Sequence, residues 1–404
     1  MNILFLTDDI YPHAGGIERV TDIQVRLFTQ HGHACFVICR TGESETPYQA
    51  IARIDYTQEK RYQFSLEFAK GLSDQVMHFA LKNQINVVIN TRDWPLLSTI
   101  ARNIANRLNV KHINYIHHQV YDRDAIRRYI KATPRSLKRA VKNGLFPLYW
   151  LLFRKKISRN YRLLYQQCDV MVILSEGFRR AATTELATDG GSKITVIPNP
   201  IVFKPVLNVS EVMREKENRV LIVGRMEEVS KNISGALRIW ETIEKRHPEL
   251  AWELDIVGDG PDKGTYETWV KKHGLRHVHF HGHVGSLDRL SDYYRRASLF
   301  MMTSHFEGFG MTLIEAQSFG CVPLVFDNFA AVHDIIAEDS LNGAIIPSND
   351  YNAYVQQMES LMANASKRQK MGKLAISSCQ IFSREGHYRK WMELFRNLGI
   401  ALVE

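Results

Sequence analysis

Residues 299–316 read Leu299-Phe300-Met301-Met302-Thr303-Ser304-His305-Phe306-Glu307-Gly308-Phe309-Gly310-Met311-Thr312-Leu313-Ile314-Glu315-Ala316. The opening four residues are apolar without alternation, as a strand covered on both faces must be. The stretch closes as a helix, and the loop between carries glycines at 308 and 310. Such glycines allow close backbone approach, and the free N–H groups of a helix start suit an anion such as phosphate. Glu307 lies in the loop and Glu315, eight positions on, in the helix. Both are carboxylates able to accept hydrogen bonds from sugar or ribose hydroxyls. An ordinary capped helix with two solvated acids would leave the same local pattern, so the flanking sequence has to decide.

Working outward, the strand–loop–helix unit recurs. Arg219-Val220-Leu221-Ile222-Val223-Gly224-Arg225 predicts a strand, followed by a loop to Asn232 and a helix to about Arg246. Strands are also predicted at 252–258, 277–280 and 322–326. Toward the amino end, Ile3-Leu4-Phe5-Leu6 precedes a loop ending in Gly15-Gly16, then a helix with Ile17, Val20, Ile23, Val25 and Leu27 on one face, stopped by Gly32. Ala34–Cys39, Val87–Ile89, Lys111–Ile116 and Val170–Leu174 continue the series. Strands alternating with helices predict parallel sheets with right-handed crossovers, which take ligands at the carboxyl ends of their strands. Pro198 and Pro200 end a strand, and a polar stretch, Val209–Asn218, follows. The boundary is placed there, giving an α/β chain of two doubly wound domains, 1–199 and 200–380, and a tail over 381–404.

Composition excludes several classes. The 404 residues are 45% hydrophobic and 24% charged, so the chain is neither disordered nor fibrous. The best apolar run, Gly144–Phe153, is interrupted by Pro147 and falls short of the ~18–20 residues of a membrane span. Met1–Asp9 meets acid early and reads as a first strand, not a signal peptide. Five cysteines (Cys35, Cys39, Cys168, Cys321, Cys379) without Cys-x-x-Cys spacing argue against structural zinc or a disulfide framework and fit a reducing cytoplasm. His273, His277, His279, His281 and His283 invite a metal hypothesis. Strand neighbours two apart stand ~6–7 Å from one another and diverge, and no nearby Cys or acid in the sequence completes a shell. They read as structural histidines.

Glu307, seven residues, Glu315, enclosing Gly-Phe-Gly-Met-Thr-Leu-Ile, resembles the signature of retaining glycosyltransferases of family 4, which have the GT-B fold of two Rossmann-like domains facing a central cleft. Val223-Gly224-Arg225-Met226 followed by Lys231-Asn232 is similar to that family's basic pair, and Gly15-Gly16-Ile17-Glu18-Arg19 to its glycine loop. Val257–Pro261, Phe280–Val284 and Ile197–Pro200 fall in the expected order. The resemblance covers about residues 1–395.

It implies that Arg225 and Lys231 neutralise a donor diphosphate whose charge grows in the transition state. It gives Glu315 the ribose and Glu307 a hydroxyl of the transferred sugar. The backbone N–H groups of Phe309, Gly310 and Met311 would meet sugar and phosphate, Gly15 and Gly16 would approach the diphosphate, and Val284, with His283, would lie near the base. His118, with His117 as the alternative, would contact the sugar. Asp8 and Asp9 are ambiguous. The resemblance further implies front-face retention with no metal or cofactor, and a hexose-type sugar moved from a nucleoside-diphosphate sugar to a glycan or lipid-linked acceptor. Such chemistry belongs to cell-surface polysaccharide or lipopolysaccharide synthesis. Phe382-Ser383, Trp391 and Phe395 resemble the family's crossing back to the first domain. The alternatives on the same fold are a sugar-nucleotide epimerase and an inactive relative that binds membrane or nucleic acid.

The +9 net charge is concentrated. Residues 125–168 hold twelve cations and no acid, interleaved with aromatics. The pattern fits an interfacial amphipathic segment drawn to anionic lipid, with Trp150 at headgroup depth. It would also suit RNA, but no nucleic-acid motif accompanies it. The combined expectation is a cytoplasmic enzyme, peripheral on the inner face of the cytoplasmic membrane, that reaches a lipid-linked acceptor.

Overall fold

The computed structural model describes residues 1–7, 15–39, 50–53, 66–118, 127, 145–186, 191–249, 251–337 and 339–401. The chain forms two compact units, Met1–Val120 with Leu151–Val202 and Arg384–Glu404, and Tyr121–Trp150 with Phe203–Ser383.

The first unit holds seven strands: β1 (Asn2–Leu6), β2 (Ala34–Cys39), β3 (Ala50–Arg53), β4 (Val87–Asn90), β5 (Lys111–Tyr115), β6 (Val170–Ile173) and β7 (Ile194–Val196). Their order is β3-β2-β1-β4-β5-β6-β7, with every pairing parallel. β4 and β6 are buried at all four positions, which explains their unbroken apolar runs. Leu4, Leu6, Val88, Ile100 and Ile104 build one core layer between the sheet and helix Pro95–Leu108. That helix takes Pro95 in its first turn, where no N–H is needed, and stops on Asn109 at φ 54°. Helix Arg384–Asn397 packs within the same unit: the Trp391 ring lies edge-on to Tyr115 and Phe28, with centroids 5.3 and 6.1 Å apart.

The second unit holds β8 (Glu217–Val223), β9 (Glu253–Val257), β10 (Val278–Gly282), β11 (Ala297–Met302), β12 (Val322–Phe326) and β13 (Ala344–Ile346), parallel and in the order β10-β9-β8-β11-β12-β13. Trp240, Leu254, Leu299, Leu324 and Tyr354 fill its core. β8 stands between β9 and β11, so chain order reverses beside it. The loops after β8 and β11 therefore flank the switch point, where sheets of this kind bind ligands. Among the described residues no helix is long and apolar enough to cross a membrane.

Three local expectations change. The polar stretch after residue 208 is not a bare linker: Val209–Arg214 is a helix, its first turn capped by the Asn208 side chain accepting from the Glu211 N–H at 3.1 Å. Val212 and Met213 are buried, so the segment joins the second unit, which resumes at Phe203. The loop between Arg225 and Asn232 contains a one-turn helix, Glu228–Lys231. β3 and β13 have no counterpart in the sequence reading, because three or four residues are too few to show a period.

Candidate functional site

Within the second unit, the turn after β8 is held by close backbone contact with the turn after β9. Gly258 sits at φ +142°, and a Cβ there would lie 1.9 Å from the Gly224 carbonyl oxygen. A Cβ on Gly260 would lie 2.4 Å from the Met226 oxygen. The Met226 N–H donates to the Asp259 carbonyl at 2.8 Å and the Gly224 N–H to that of Val257 at 3.0 Å. The Val257–Pro261 motif thus shapes the loop carrying Arg225. The Arg225 side chain is exposed, and its guanidinium makes no ion pair among the described residues.

Lys231 ends the one-turn helix, and Asn232, at φ 51°, breaks it. The Asn232 amide donates to the Thr303 carbonyl at 3.0 Å, the Thr303 hydroxyl donates back to the Asn232 carbonyl at 2.9 Å, and the His305 N–H reaches the Ser230 carbonyl at 2.8 Å. These bonds stitch the β8 loop to the β11 loop. They bring Lys231 Nζ to 2.7 and 2.9 Å from the two Glu307 oxygens, while the Ser304 hydroxyl donates to Glu307 Oε1 at 2.6 Å. The Lys231 and Glu307 side chains keep 25% and 11% of their surface exposed.

Gly310 caps helix Met311–Ser318 at φ +95°, in the left-handed region, and a Cβ there would press on the Phe329 ring at 3.3 Å. Phe309 is buried with its ring edge-on to Phe382, so only its backbone is available, and Met311 is half-buried at the first helical position. Glu315, expected to meet a ribose, is 1% exposed; its Oε2 accepts from the Tyr294 hydroxyl at 2.9 Å. Tyr294 stacks on Phe319 at 5.7 Å. Val284, half-buried, follows β10.

In the first unit, Gly15 and Gly16 open helix Gly16–Gln30, and a Cβ on Gly16 would meet nothing within 4 Å. Glu18 in that first turn is buried and pairs with Arg92. The two histidines after β5 differ. His118 Nε2 lies 3.2 Å from Asp93 and its Nδ1 accepts from or donates to the Tyr161 hydroxyl at 3.0 Å. Burial pushes the Asp93 carboxyl up, but the hydrogen bond and charge of His118, with Arg92, outweigh it and hold the group below its ordinary value. His117 is buried against the Tyr115 ring. Burial first, then the charges of Arg92 and His118, push its imidazole down to about 3 against the opposing hydrogen bond of Asn199. Asp8 and Asp9 lie outside the described residues.

The histidine run differs from its sequence reading in one respect: acids do stand nearby, on β9. His277 and His279 contact Glu253 at 3.2 and 2.6 Å, His281 contacts Asp255 at 2.7 Å, and Arg219 also reaches Asp255 at 2.9 Å. Hydrogen bonds from His279 and His277 lower the Glu253 carboxyl against the upward push of burial. Among the described residues, no group of three or more His, Cys, Asp or Glu is arranged to hold a metal ion.

Of the basic run, 125–126 and 128–144 lie outside the described residues. Helix Phe146–Gln167 carries the remainder of its cations except Arg127. Its rows Leu148-Leu152-Lys156 and Leu151-Lys155-Arg159, spaced four apart, form one exposed face, with the three leucines 56%, 61% and 50% accessible. Phe146, Tyr161, Leu164 and Tyr165 form the buried face.

Sequence reasoning missed Ser304, Thr303, Asp93 and Tyr294. Ser304 stands three residues before Glu307, a spacing that could have flagged it. Tyr294 lies twenty-one residues from Glu315 on another helix and left no local signal.

The family model described as Glycosyltransferase Family 4 matches residues 14–203, and that described as Glycosyl transferases group 1 matches residues 204–377. The chain is 30% identical over 233 residues to the amylovoran biosynthesis glycosyltransferase AmsD of Erwinia amylovora, covering 57% of this chain and 63% of that protein. It is 28% identical over 186 residues to the poly(glycerol-phosphate) alpha-glucosyltransferase of Bacillus subtilis, 46% of this chain and 26% of that protein. The matches thus span less than two thirds of the length of these curated relatives. Among solved structures, the apo form of the lipopolysaccharide outer core galactosyltransferase WaaB matches with a TM-score of 0.70 at 16% identity, covering 98% of this chain and 99% of that one. Anabaena HepE in complex with UDP matches with a TM-score of 0.72 at 13% identity, covering 98% and 100%. With one glycosyltransferase model over each half and this architecture throughout, the chain belongs to the GT-B glycosyltransferases, family 4 in its first half and group 1 in its second.

Proposed function

We propose that the protein moves a hexose-type sugar, with retention, from a nucleoside-diphosphate sugar to a hydroxyl of a glycan or lipid-linked acceptor, in the building of a cell-surface polysaccharide or lipopolysaccharide. The observation that carries this reading is the Lys231–Glu307 pair, joined at 2.7 Å beside exposed Arg225 at the switch point of the second sheet. It puts a cation for a diphosphate and a carboxylate for a sugar hydroxyl side by side. In the proposed step, the bond from the anomeric carbon to the diphosphate oxygen breaks and its electron pair leaves with the diphosphate. The acceptor oxygen bonds that carbon on the same face, and its proton passes to the departing phosphate oxygen. Arg225 and Lys231 stabilise the growing negative charge. The reading calls for no metal or cofactor.

The sugar contact stays with the histidine pair after β5: His118, whose side chain is partly exposed beside Asp93 and Tyr161, with the buried His117 as the alternative. HepE was solved with UDP-glucose, so that donor heads the test panel. Purified protein is screened for thermal stabilisation by nucleotide sugars, which raise apparent stability with affinity, and then for sugar transfer and diphosphate release. Lys231→Ala and Arg225→Ala are expected to lower kcat/KM by ~100-fold or more each, as loss of a charged contact to the leaving group does. Unchanged activity in both, or donor conversion without any acceptor, would refute the reading.

A membrane partner is the second part of the proposal. The exposed leucines of helix Phe146–Gln167 run directly into Lys155, Lys156 and Arg159, which suits insertion at the surface of an anionic bilayer. Co-sedimentation with phosphatidylglycerol vesicles is expected, absent with neutral vesicles and lost on charge reversal of Arg154, Lys155 and Lys156. Sedimentation indifferent to either change would sink it.

A further inference from the structure

We propose that Ser304 is a positioning residue that keeps the Glu307 carboxylate in place when the donor takes Lys231 away from it. The inference rests on the roles of Lys231 and Glu307 proposed above. Glu307 has two kinds of partner: the Lys231 ammonium at 2.7 and 2.9 Å, and the Ser304 hydroxyl at 2.6 Å on Oε1. A diphosphate carries more charge than one carboxylate and competes for the same ammonium, since charge-assisted bonds strengthen with the charge of the acceptor. Once Lys231 turns to the diphosphate, Glu307 loses its counter-ion at the moment its oxygens must meet a sugar hydroxyl. A partly buried carboxylate without a donor is costly and would swing toward water.

Ser304 is built to prevent that. It is buried, directly behind the end of β11, and its backbone is clamped from two sides. The Asn328 amide donates to the Ser304 carbonyl at 2.8 Å, and Asn328 Oδ1 in turn accepts from the Ser348 hydroxyl at 2.6 Å. The adjacent His305 N–H is bound to the Ser230 carbonyl at 2.8 Å. The main chain at 304–305 is thus tied to the loops after β8 and β12, and Oε1 of Glu307 keeps a partner other than Lys231. Lys231 is the exchangeable partner and Ser304 the permanent one.

The test compares binding of the nucleoside diphosphate alone with binding of the full nucleotide sugar, together with steady-state transfer. Ser304→Ala, and the near-isosteric Ser304→Cys as a variant of the same volume with a weak donor, are expected to bind the diphosphate within about twofold of the parent. Both are expected to lose roughly 10-fold of the preference for nucleotide sugar over diphosphate, with a similar fall in kcat, the range of one hydrogen bond to a charged group. The penalty for a donor lacking the hydroxyl read by Glu307 should shrink toward one in both variants. Ser304→Thr, which keeps the hydroxyl, should recover most of the loss. Full sugar preference and kcat in Ser304→Cys, alongside a severe defect in Glu307→Ala, would overturn the role of Ser304 alone. Unchanged sugar preference in Glu307→Ala would overturn the reading beneath it.

Discussion

At the scale of single residues, burial separates the two glutamates. Glu307 is partly exposed and paired with Lys231, whereas Glu315 is covered and accepts from the Tyr294 hydroxyl at 2.9 Å. Tyr294→Phe removes that hydrogen bond to a buried carboxylate, at a cost of about 1–3 kcal/mol; urea denaturation checks the loss. Gly16 offers the opposite case. No protein atom stands within 4 Å of a Cβ there, and the residue lies in the first turn of a helix. Gly16→Ala should keep or slightly raise the melting temperature, because alanine loses less backbone entropy on folding. Its donor affinity should nevertheless fall if a diphosphate approaches that backbone; titration with the nucleoside diphosphate checks this half. Both glutamates and Gly16 were legible in the sequence, since motif spacing marks residue types. Their exposure was not, because it depends on side chains such as Tyr294 that arrive from elsewhere in the chain.

At the scale of elements, the turns after β8, β9 and β11 behave as one object. The β9 turn buttresses the β8 turn through Gly258 and Gly260, and the β8 turn is stitched to β11 by Asn232 and Thr303. Gly258→Ala forces a Cβ into the Gly224 carbonyl at 1.9 Å, at a φ that side chains rarely adopt. It should destabilise the second unit by more than ~2 kcal/mol and weaken donor binding through the displaced Arg225 loop; thermal melts and donor titration measure the two effects. The strands themselves were readable because those buried on both faces keep unbroken apolar runs. The short helices Val209–Arg214 and Glu228–Lys231 were not, since one or two turns show no period and form only when packed.

At the scale of the whole molecule, acid should act on one unit first. Burial, the largest cause in each case, lowers the imidazoles of His112, His117 and His387 to about 4, 3 and 4, and all three belong to the first unit. An unfolded histidine titrates near 6.5. Below that pH the unfolded chain binds protons that the folded chain refuses, so stability is complete above about 6.5 and falls as the pH drops toward 4. At pH 5 each such histidine costs on the order of 2 kcal/mol. Melting followed by hydrogen exchange at pH 7.5 and 5.0 should show protection lost from the β1–β7 sheet at the lower pH, and His387→Gln should reduce the difference.

Local pattern was sufficient for the two parallel sheets, the glycine-rich turns and the families to which the halves belong. Strand burial, helix period and motif spacing are properties of neighbouring residues, and they survive in a string of letters. Folding was needed for the pairings: Lys231 with Glu307, Glu315 with Tyr294, His118 with Asp93 and Tyr161, and the strand histidines with Glu253 and Asp255. Each joins residues that only sheet order and helix packing bring within hydrogen-bond distance. A side chain's partner is set by which elements fold against one another, and in these pairs it is twenty-one to seventy-six residues away in the chain.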